Sequence, residues 1–260
     1  MRAPLVWSLL GALACGACVG QTGGDTVVFA VAASGPADAV AGQPLTFSTG
    51  GFSVSLARAQ LHVGAVYLDQ SAPVSGGQAT GCYLTGTYVA EETSALDVDL
   101  LDPAPQRFPT DARGITDPAP RVGELWLTGG DVNAASDPTV ILSVAGSATQ
   151  GAVTLAFTGT VTIGANRQPA TTSAAGGSPI CKQRIVTPIP AALALRASGG
   201  LLVRIDPRRY FEAVDFTQLP TDPANGARVF PDGPGVVAAQ NFYSNLRSIA
   251  PYTFTWSDAL

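Results

Sequence analysis

The segment from Val153 to Ile163 alternates between apolar and polar side chains. One parity holds Val153, Leu155, Phe157, Gly159, Val161 and Ile163, and the other is mostly threonine: Thr154, Thr158, Thr160 and Thr162. Successive side chains of a β-strand point to opposite faces of the sheet, so a period of two predicts a strand with one buried face. A chain organised around such segments must build sheets and cover one side of each.

Two earlier segments, 52–56 and 61–68, show the same alternation at opposite parities. The apolar residues of the first are Phe52, Val54 and Leu56, and those of the second are Leu61, Val63, Ala65 and Tyr67. A one-residue shift turns every side chain of a strand to the other face. We therefore expect a turn or a bulge near Arg58–Gln60.

Helical patterns are scarce in this chain, which has 29 glycines and 20 prolines. Asp206 and Pro207 are suited to the N-cap and the first position of a short helix over Arg208–Val214, and a second short helix is predicted over Asn241–Ser248. Ile180–Val186 has strand composition. Neither helix is long enough to connect parallel strands. The predicted fold class is all-β, an antiparallel β-sandwich with long loops and one or two short helices.

The first eighteen residues have the pattern of a secretory leader. Arg2 gives a positive start, and an apolar stretch too short to span a bilayer follows before small residues and cysteines. We expect a leader at residues 1–18, a flexible tether at 19–25 and a single β-sandwich domain at 26–260.

Residues 12–15, Ala-Leu-Ala-Cys, resemble the signal-peptidase box of bacterial lipoproteins, with alanine where the family usually has leucine. The resemblance implies that Cys15 carries the lipid; Cys18 is the alternative, and plain cleavage after Ala14 also fits. Two or three acyl chains hold a protein durably on a membrane. Gly16 after the cysteine resembles outer-membrane sorting, so we expect an exported, lipid-anchored protein of the outer membrane or periplasm.

The other two cysteines, Cys82 and Cys181, lie far apart in the chain. In an oxidising compartment, their first interpretation is a disulfide bond between them. A zinc site is the alternative, but no C-x-x-C motif or histidine pair accompanies them.

The charge of the chain disfavours nucleic acid as a partner. The formal net charge is −5, and the densest basic group, formed by Arg204, Arg208 and Arg209, is too small to drive binding through counterion release.

Catalysis has little support in the sequence, so we assign no catalytic residue. His62 is the only histidine, and no G-x-S-x-G motif accompanies it. A lone histidine on a strand is more often structural. Paired carboxylates for glycoside hydrolysis could come from Asp99, Glu91, Glu92 and Glu124, but their separations cannot be read from the sequence.

Metal binding rests on one acidic loop. Asp131, Asn133 and Asp137 follow Gly129-Gly130, and calcium prefers such oxygen ligands. The competing interpretation is a turn in which these side chains accept hydrogen bonds from their own backbone. A copper cluster of Met, His and Cys is disfavoured because the only methionine, Met1, lies in the leader. Calcium is therefore a minority prediction, and no other cofactor is predicted.

Trp126 is the candidate ligand-binding residue. It alternates with Glu124 and Thr128 on one face of a predicted strand, opposite Leu125 and Leu127. An outward tryptophan can stack on a sugar or a partner protein, whereas an inward one would be core.

Residues 59–68, AQLHVGAVYL, look like a strand of periplasmic β-sandwich proteins of the metallo-mystery-pair type, which accompany dihaem partners. The scarcity of His and Met argues against transferring a copper role, so the resemblance implies no site residue here.

The leading hypothesis for function is an envelope-anchored, non-enzymatic β-sandwich that binds a protein or glycan through its long loops. The alternatives are a secreted hydrolase of glycan or ester bonds and a calcium- or metal-associated periplasmic accessory protein.

Overall fold

The computed structural model describes residues 23–71, 87–167 and 179–260. In these ranges the chain forms two sheets and few helices. The strands are β1 Thr26–Ser34, β2 Leu45–Thr49, β3 Phe52–Val63, β4 Ala65–Asp69, β5 Tyr88–Glu92, β6 Leu96–Asp99, β7 Gln106–Arg107, β8 Ala112–Ile115, β9 Val122–Trp126, β10 Val140–Gln150, β11 Val153–Thr162, β12 Ile185–Pro190, β13 Gly200–Ile205, β14 Arg228–Phe230 and β15 Tyr252–Ser257.

The large sheet has the strand order β12-β9-β4-β5-β8-β1-β13-β15, with β7 also paired to β1. The small sheet has the order β14-β11-β10-β3-β2, with β6 also paired to β3. Most neighbours are antiparallel, but β1 pairs with β13 and β11 pairs with β14 in parallel. The all-β prediction is confirmed, with two parallel pairings added to the predicted antiparallel arrangement.

The change of parity near Arg58 is a bulge inside one strand. β3 runs without interruption from Phe52 to Val63, but its register against β10 passes from Leu56 to Arg58 and leaves Ala57 without a partner. The two flanks of the bulge therefore both turn their apolar side chains toward the core.

The predicted strand 61–68 does not exist as one element. β3 ends at Val63 in the small sheet, and β4 begins at Ala65 in the large sheet. A Cβ atom at Gly64 would collide with the carbonyl oxygen of Thr128, so only glycine fits where the chain passes between the sheets. Leu61 and Val63 are fully buried, whereas Tyr67 is half-buried.

One continuous hydrophobic core lies between the sheets. On the large sheet, Val66 and Leu125 face this core, so their neighbours of opposite parity, Tyr67 and Glu124, point away from it. We call this second side the outer face of the large sheet.

The helices are short. They are α1 Cys181–Arg184, α2 Val237–Leu246 and two 3-10 helices at Pro207–Phe211 and Phe216–Gln218. Asp206 caps the first 3-10 helix by accepting a hydrogen bond from the Arg208 amide, as its sequence predicts. The predicted strand Ile180–Val186 is wrong over its first half, which forms α1. In the described ranges, no helix has the length and apolarity needed to cross a membrane.

Candidate functional site

The outer face of the large sheet carries two carboxylates among three aromatic rings. Tyr67 on β4 is directly opposite Glu124 on β9, and Asp69 follows two residues later on the same face. Tyr88 on β5 pairs with Asp69, and Trp126 follows Glu124 by two residues. We call Tyr67, Asp69, Tyr88, Glu124 and Trp126 the carboxylate–aromatic cluster.

Both carboxylates of the cluster are fully buried. Asp69 and Glu124 each have 0% relative exposure. Neither Asp69 oxygen has a hydrogen-bond partner, and Glu124 has one bond, which its Oε2 accepts from Trp126 Nε1 at 3.0 Å. The Oε1 atom of Glu124 is buried without a partner. Three carboxylate oxygens therefore lack the partners that buried polar atoms normally have.

This environment raises the pKa of both acids. Burial raises the pKa of Asp69 to about 6. Burial is also the main reason that the pKa of Glu124 rises to about 7, and the negative charge of Asp69 raises it further. The hydrogen bond from Trp126 and the nearby hydroxyl of Tyr88, which is not within hydrogen-bonding geometry, act in the opposite direction because they stabilise the Glu124 carboxylate.

The three rings of the cluster form a row. The centroid of Tyr67 lies 4.6 Å from that of Trp126 and 5.2 Å from that of Tyr88. Burial and the charges of Glu91 and Glu124 raise the pKa of Tyr67, so its hydroxyl stays protonated. The row provides apolar ring surface next to the buried carboxylates.

A small second core supports one end of this row. Val132, Cys181 and Ile185 are buried together, and Trp126 packs against them. Thr187 on β12 follows Ile185 by two residues, and its Oγ1 atom is also buried without a partner. The cluster therefore has a packed wall at Trp126 and a fourth unpartnered oxygen on the strand next to β9.

Cavities lie at both ends of the aromatic row. A cavity of about 200 Å³ is lined by Tyr67, Trp126, Ala65, Gly64, Gly129 and Gly130, among others. A groove of about 340 Å³ is lined by Tyr88, Glu91, Arg113 and Ile115, among others. A polar groove of about 500 Å³ shares Glu91 and Arg113 with it. The outer face thus has space for ligands beside the rings.

A third buried acid has a different environment. Glu92 is 2% exposed, but its oxygens accept hydrogen bonds from the Ser94 amide, the Ser94 hydroxyl and the Thr110 hydroxyl. Its hydrogen-bonding capacity is used, as expected of a structural residue. Burial alone therefore does not leave a carboxylate without hydrogen-bond partners. Asp69 and Glu124 differ from Glu92 in lacking them.

The predicted calcium loop is organised by its own backbone. Asp131 Oδ1 accepts a hydrogen bond from the Asn133 amide, and Asp137 accepts from the amides of Gly129 and Thr139 and from the Thr128 hydroxyl. These bonds lower the pKa of Asp137 to about 2. The described residues contain no group of three or more His, Cys, Asp or Glu side chains arranged for a metal ion.

His62 lies on the small sheet, far from the cluster in the strand order. Its Nδ1 is 2.7 Å from Asp97 Oδ1, and no serine hydroxyl bonds to it within the described ranges. Of the four acids considered for glycoside hydrolysis, only Glu124 belongs to the cluster. Glu91 is exposed, Glu92 is satisfied, and Asp99 caps the Leu101 amide.

Three of the four cysteines, Cys15, Cys18 and Cys82, lie outside the described residues. Cys181 is fully buried and disulfide-bonded. Its predicted pairing with Cys82 stays a prediction.

Sequence reasoning identified Trp126 and placed Glu124 on its face, but it missed Asp69. The predicted strand ended at Leu68, one residue early. Extending the parity of Ala65 and Tyr67 by one step would have placed Asp69 on the same face. The pairing of β4 with β9, which brings the two acids together, has no signal in the sequence.

No protein-family model matches this chain, and no curated protein sequence matches it. Among solved structures, the chain is similar to MbnP from Methylosinus trichosporium, with 15% sequence identity, a TM-score of 0.36 and 82% of each chain covered. At this level of similarity, no residue role and no ligand passes from that protein to this chain.

Proposed function

We propose that the chain is an exported, non-enzymatic binding protein that holds its ligand at the carboxylate–aromatic cluster. The observation that carries the proposal is the set of three buried carboxylate oxygens without partners. Leaving such a group unpaired costs about 1–3 kcal/mol, and more when it is charged. Perturbed, unsatisfied groups of this kind concentrate at functional sites, where a ligand supplies the missing partner.

The arrangement favours binding over catalysis. Among the described residues, neither acid has a histidine or a serine hydroxyl bonded to it, so neither is arranged to activate a nucleophile. The one histidine is on the other sheet and is paired with an exposed aspartate. The rings of Tyr67 and Trp126 instead present the wide, rigid surface that binding sites use.

The proposed location is the cell envelope. Lipidation at Cys15, or at Cys18, would tether the domain to a membrane, and a disulfide bond between Cys82 and Cys181 would suit an oxidising compartment. Radiolabelled palmitate should label the wild-type protein and not Cys15→Ala. Labelling that is lost only in Cys18→Ala would assign the lipid to Cys18. An unlabelled wild type would show that the protein is not lipidated.

The binding site can be tested by thermal unfolding with a panel of small compounds: amines, carboxylates, neutral sugars and divalent metal ions. Asp69→Asn and Glu124→Gln keep the shape of each side chain and remove its charge. His62→Gln is the matched control on the small sheet. We expect at least one class to raise the melting temperature of wild type and His62→Gln but not that of either cluster variant.

Two results would contradict the proposal. One is a panel in which no class stabilises the wild type, or in which the cluster variants respond as the wild type does. The other is turnover of a chromogenic glycoside or ester that Glu124→Gln abolishes, because it would make the cluster an active site.

A further inference from the structure

We infer that the ligand of the carboxylate–aromatic cluster carries a primary ammonium group. This inference rests on the proposed function and names the chemical class that the site would accept.

The unpartnered atoms match an ammonium group in kind and number. Asp69 Oδ1, Asp69 Oδ2 and Glu124 Oε1 are buried without donors. An ionised carboxylate is only an acceptor, whereas a primary ammonium group has three N–H donors and no acceptor. One ammonium group placed between the two side chains could therefore satisfy all three oxygens.

A cation would also compensate the charges of the two acids. Asp69 and Glu124 are diagonal neighbours across β4 and β9, since Glu124 pairs with Tyr67 and Asp69 follows Tyr67 by two residues, and their charges repel one another. No arginine, lysine or histidine forms a salt bridge with either acid in the described ranges. Two ionised carboxylates in a buried site are costly unless a positive charge compensates them.

The aromatic row favours an organic cation. Tyr67 is in ring contact with both Trp126 and Tyr88, so the carboxylates are next to three π-systems. An ammonium group is attracted to the face of such rings within about 6 Å, and an alkyl chain packs against them. A fully hydrated metal ion gains neither interaction.

The oxygen set does not suit a hard divalent ion. Calcium takes about six to eight oxygen ligands, and magnesium about six. Two carboxylates and the Thr187 hydroxyl supply fewer, and no third acidic or histidine side chain joins them among the described residues. The walls beside the acids are aromatic rings, which cannot complete the coordination.

The adjoining cavity limits the size of the ligand. Its volume of about 200 Å³ is below the range of about 300–1,000 Å³ that accommodates drug-sized molecules. Neither acid lines this cavity, but Glu124 bonds to Trp126, which is in the cavity wall. A short alkyl chain fits this space beside the rings, and its ammonium group would reach the acids through the wall at Trp126.

Calorimetric titration of the full-length protein at pH 8, where both acids are ionised, tests the inference. The probes are n-butylamine, butan-1-ol, N,N,N-trimethylbutylammonium, calcium and magnesium. The proteins are the wild type, Asp69→Asn, Glu124→Gln and, as the control, Asp97→Asn, which alters an exposed acid on the small sheet. Circular dichroism confirms that each variant is folded.

We expect n-butylamine to bind equally to the wild type and Asp97→Asn, and at least tenfold more weakly to each cluster variant. Butan-1-ol should not bind because it lacks charge, and the trimethylated amine should bind at least tenfold more weakly because it lacks N–H donors. Equal binding of butan-1-ol, or of calcium or magnesium in place of the amine, would overturn the ammonium assignment. If neutral sugars bind in the thermal panel while amines do not, the assignment fails and the binding function stands. If nothing binds in either experiment, both fail.

Discussion

Two buried charged groups, one at the end of α1 and one on β9 of the large sheet, differ in how the protein satisfies them. Arg184 comes directly before β12 and is fully buried, yet its guanidinium donates five hydrogen bonds to the carbonyl oxygens of Ile163, Asp131, Val132 and Ala134. Glu124 on β9 is equally buried and has a single hydrogen bond. Of these two charges, only that of the arginine has a full set of hydrogen-bond partners.

The difference separates a structural role from a binding role. Arg184 joins the end of β11 to the loop before β10, because Ile163 lies on one side of it and Val132 and Ala134 on the other. Asp69 and Glu124 connect nothing in this way. Burial lowers the pKa of Arg184 and raises those of the two acids, so each charge is unfavourable in itself. Unlike Arg184, the two acids also lack the hydrogen bonds that would offset the cost of burying their charges.

The largest expected effect is the loss of the satisfied charge. Arg184→Met removes five hydrogen bonds; the Asp131 carbonyl keeps its bond from the Ala134 amide, and the carbonyl groups of Ile163, Val132 and Ala134 lose their arginine donors. We expect the free energy of unfolding to fall by about 3–5 kcal/mol in urea denaturation. Arg196→Met, which breaks an exposed ion pair with Asp258, is the control and should change it by less than about 1 kcal/mol. If the two variants lowered the free energy of unfolding equally, the hydrogen bonds of Arg184 would have no special structural role.

The opposite sign is expected for the unsatisfied charge. The pKa of Glu124 is about 7 in the folded protein and near 4.5 when unfolded, so the wild type should lose stability as the pH rises through this window. Glu124→Gln cannot ionise and should be more stable than the wild type by about 2 kcal/mol at pH 8.

Below pH 4, the stabilities of wild type and Glu124→Gln should converge because the glutamic acid is protonated in both states. Urea denaturation at pH 4, 6 and 8 measures the difference. A variant that is less stable than the wild type at pH 8 would show that Glu124 stabilises the fold and would end the comparison with Arg184.

The smallest effect is expected where the charge is exposed. Asp97 is 81% exposed and lies 2.7 Å from His62. Asp97→Asn should change the free energy of unfolding by no more than about 0.5 kcal/mol, since solvent screens such pairs. A loss above about 2 kcal/mol would show that the pair has a role beyond the surface.

Much of the fold could be predicted because its information is local. The alternation at 153–163 predicts β11, and the parity change near Arg58 predicts the bulge of β3. The segment 61–68 was misjudged because a period of two is the same on either side of a sheet corner. Only the strand pairing, which places β3 and β4 in different sheets, shows that the chain changes sheets at Gly64. Ile180–Val186 was misjudged because α1 is a single turn, too short for a helical period.

The sequence by itself determined the sheet class and the parity shared by Glu124 and Trp126, and it predicts the leader around Cys15. These features depend on neighbours in the chain or on the period of a strand. The tertiary structure decided which outward residues meet and which are buried. Asp69 and Glu124 are more than fifty positions apart in the sequence. Only the pairing of β4 with β9 brings the two acids close together in a buried site. Strand pairing over such distances depends on the packing of the whole sandwich, which no local pattern records.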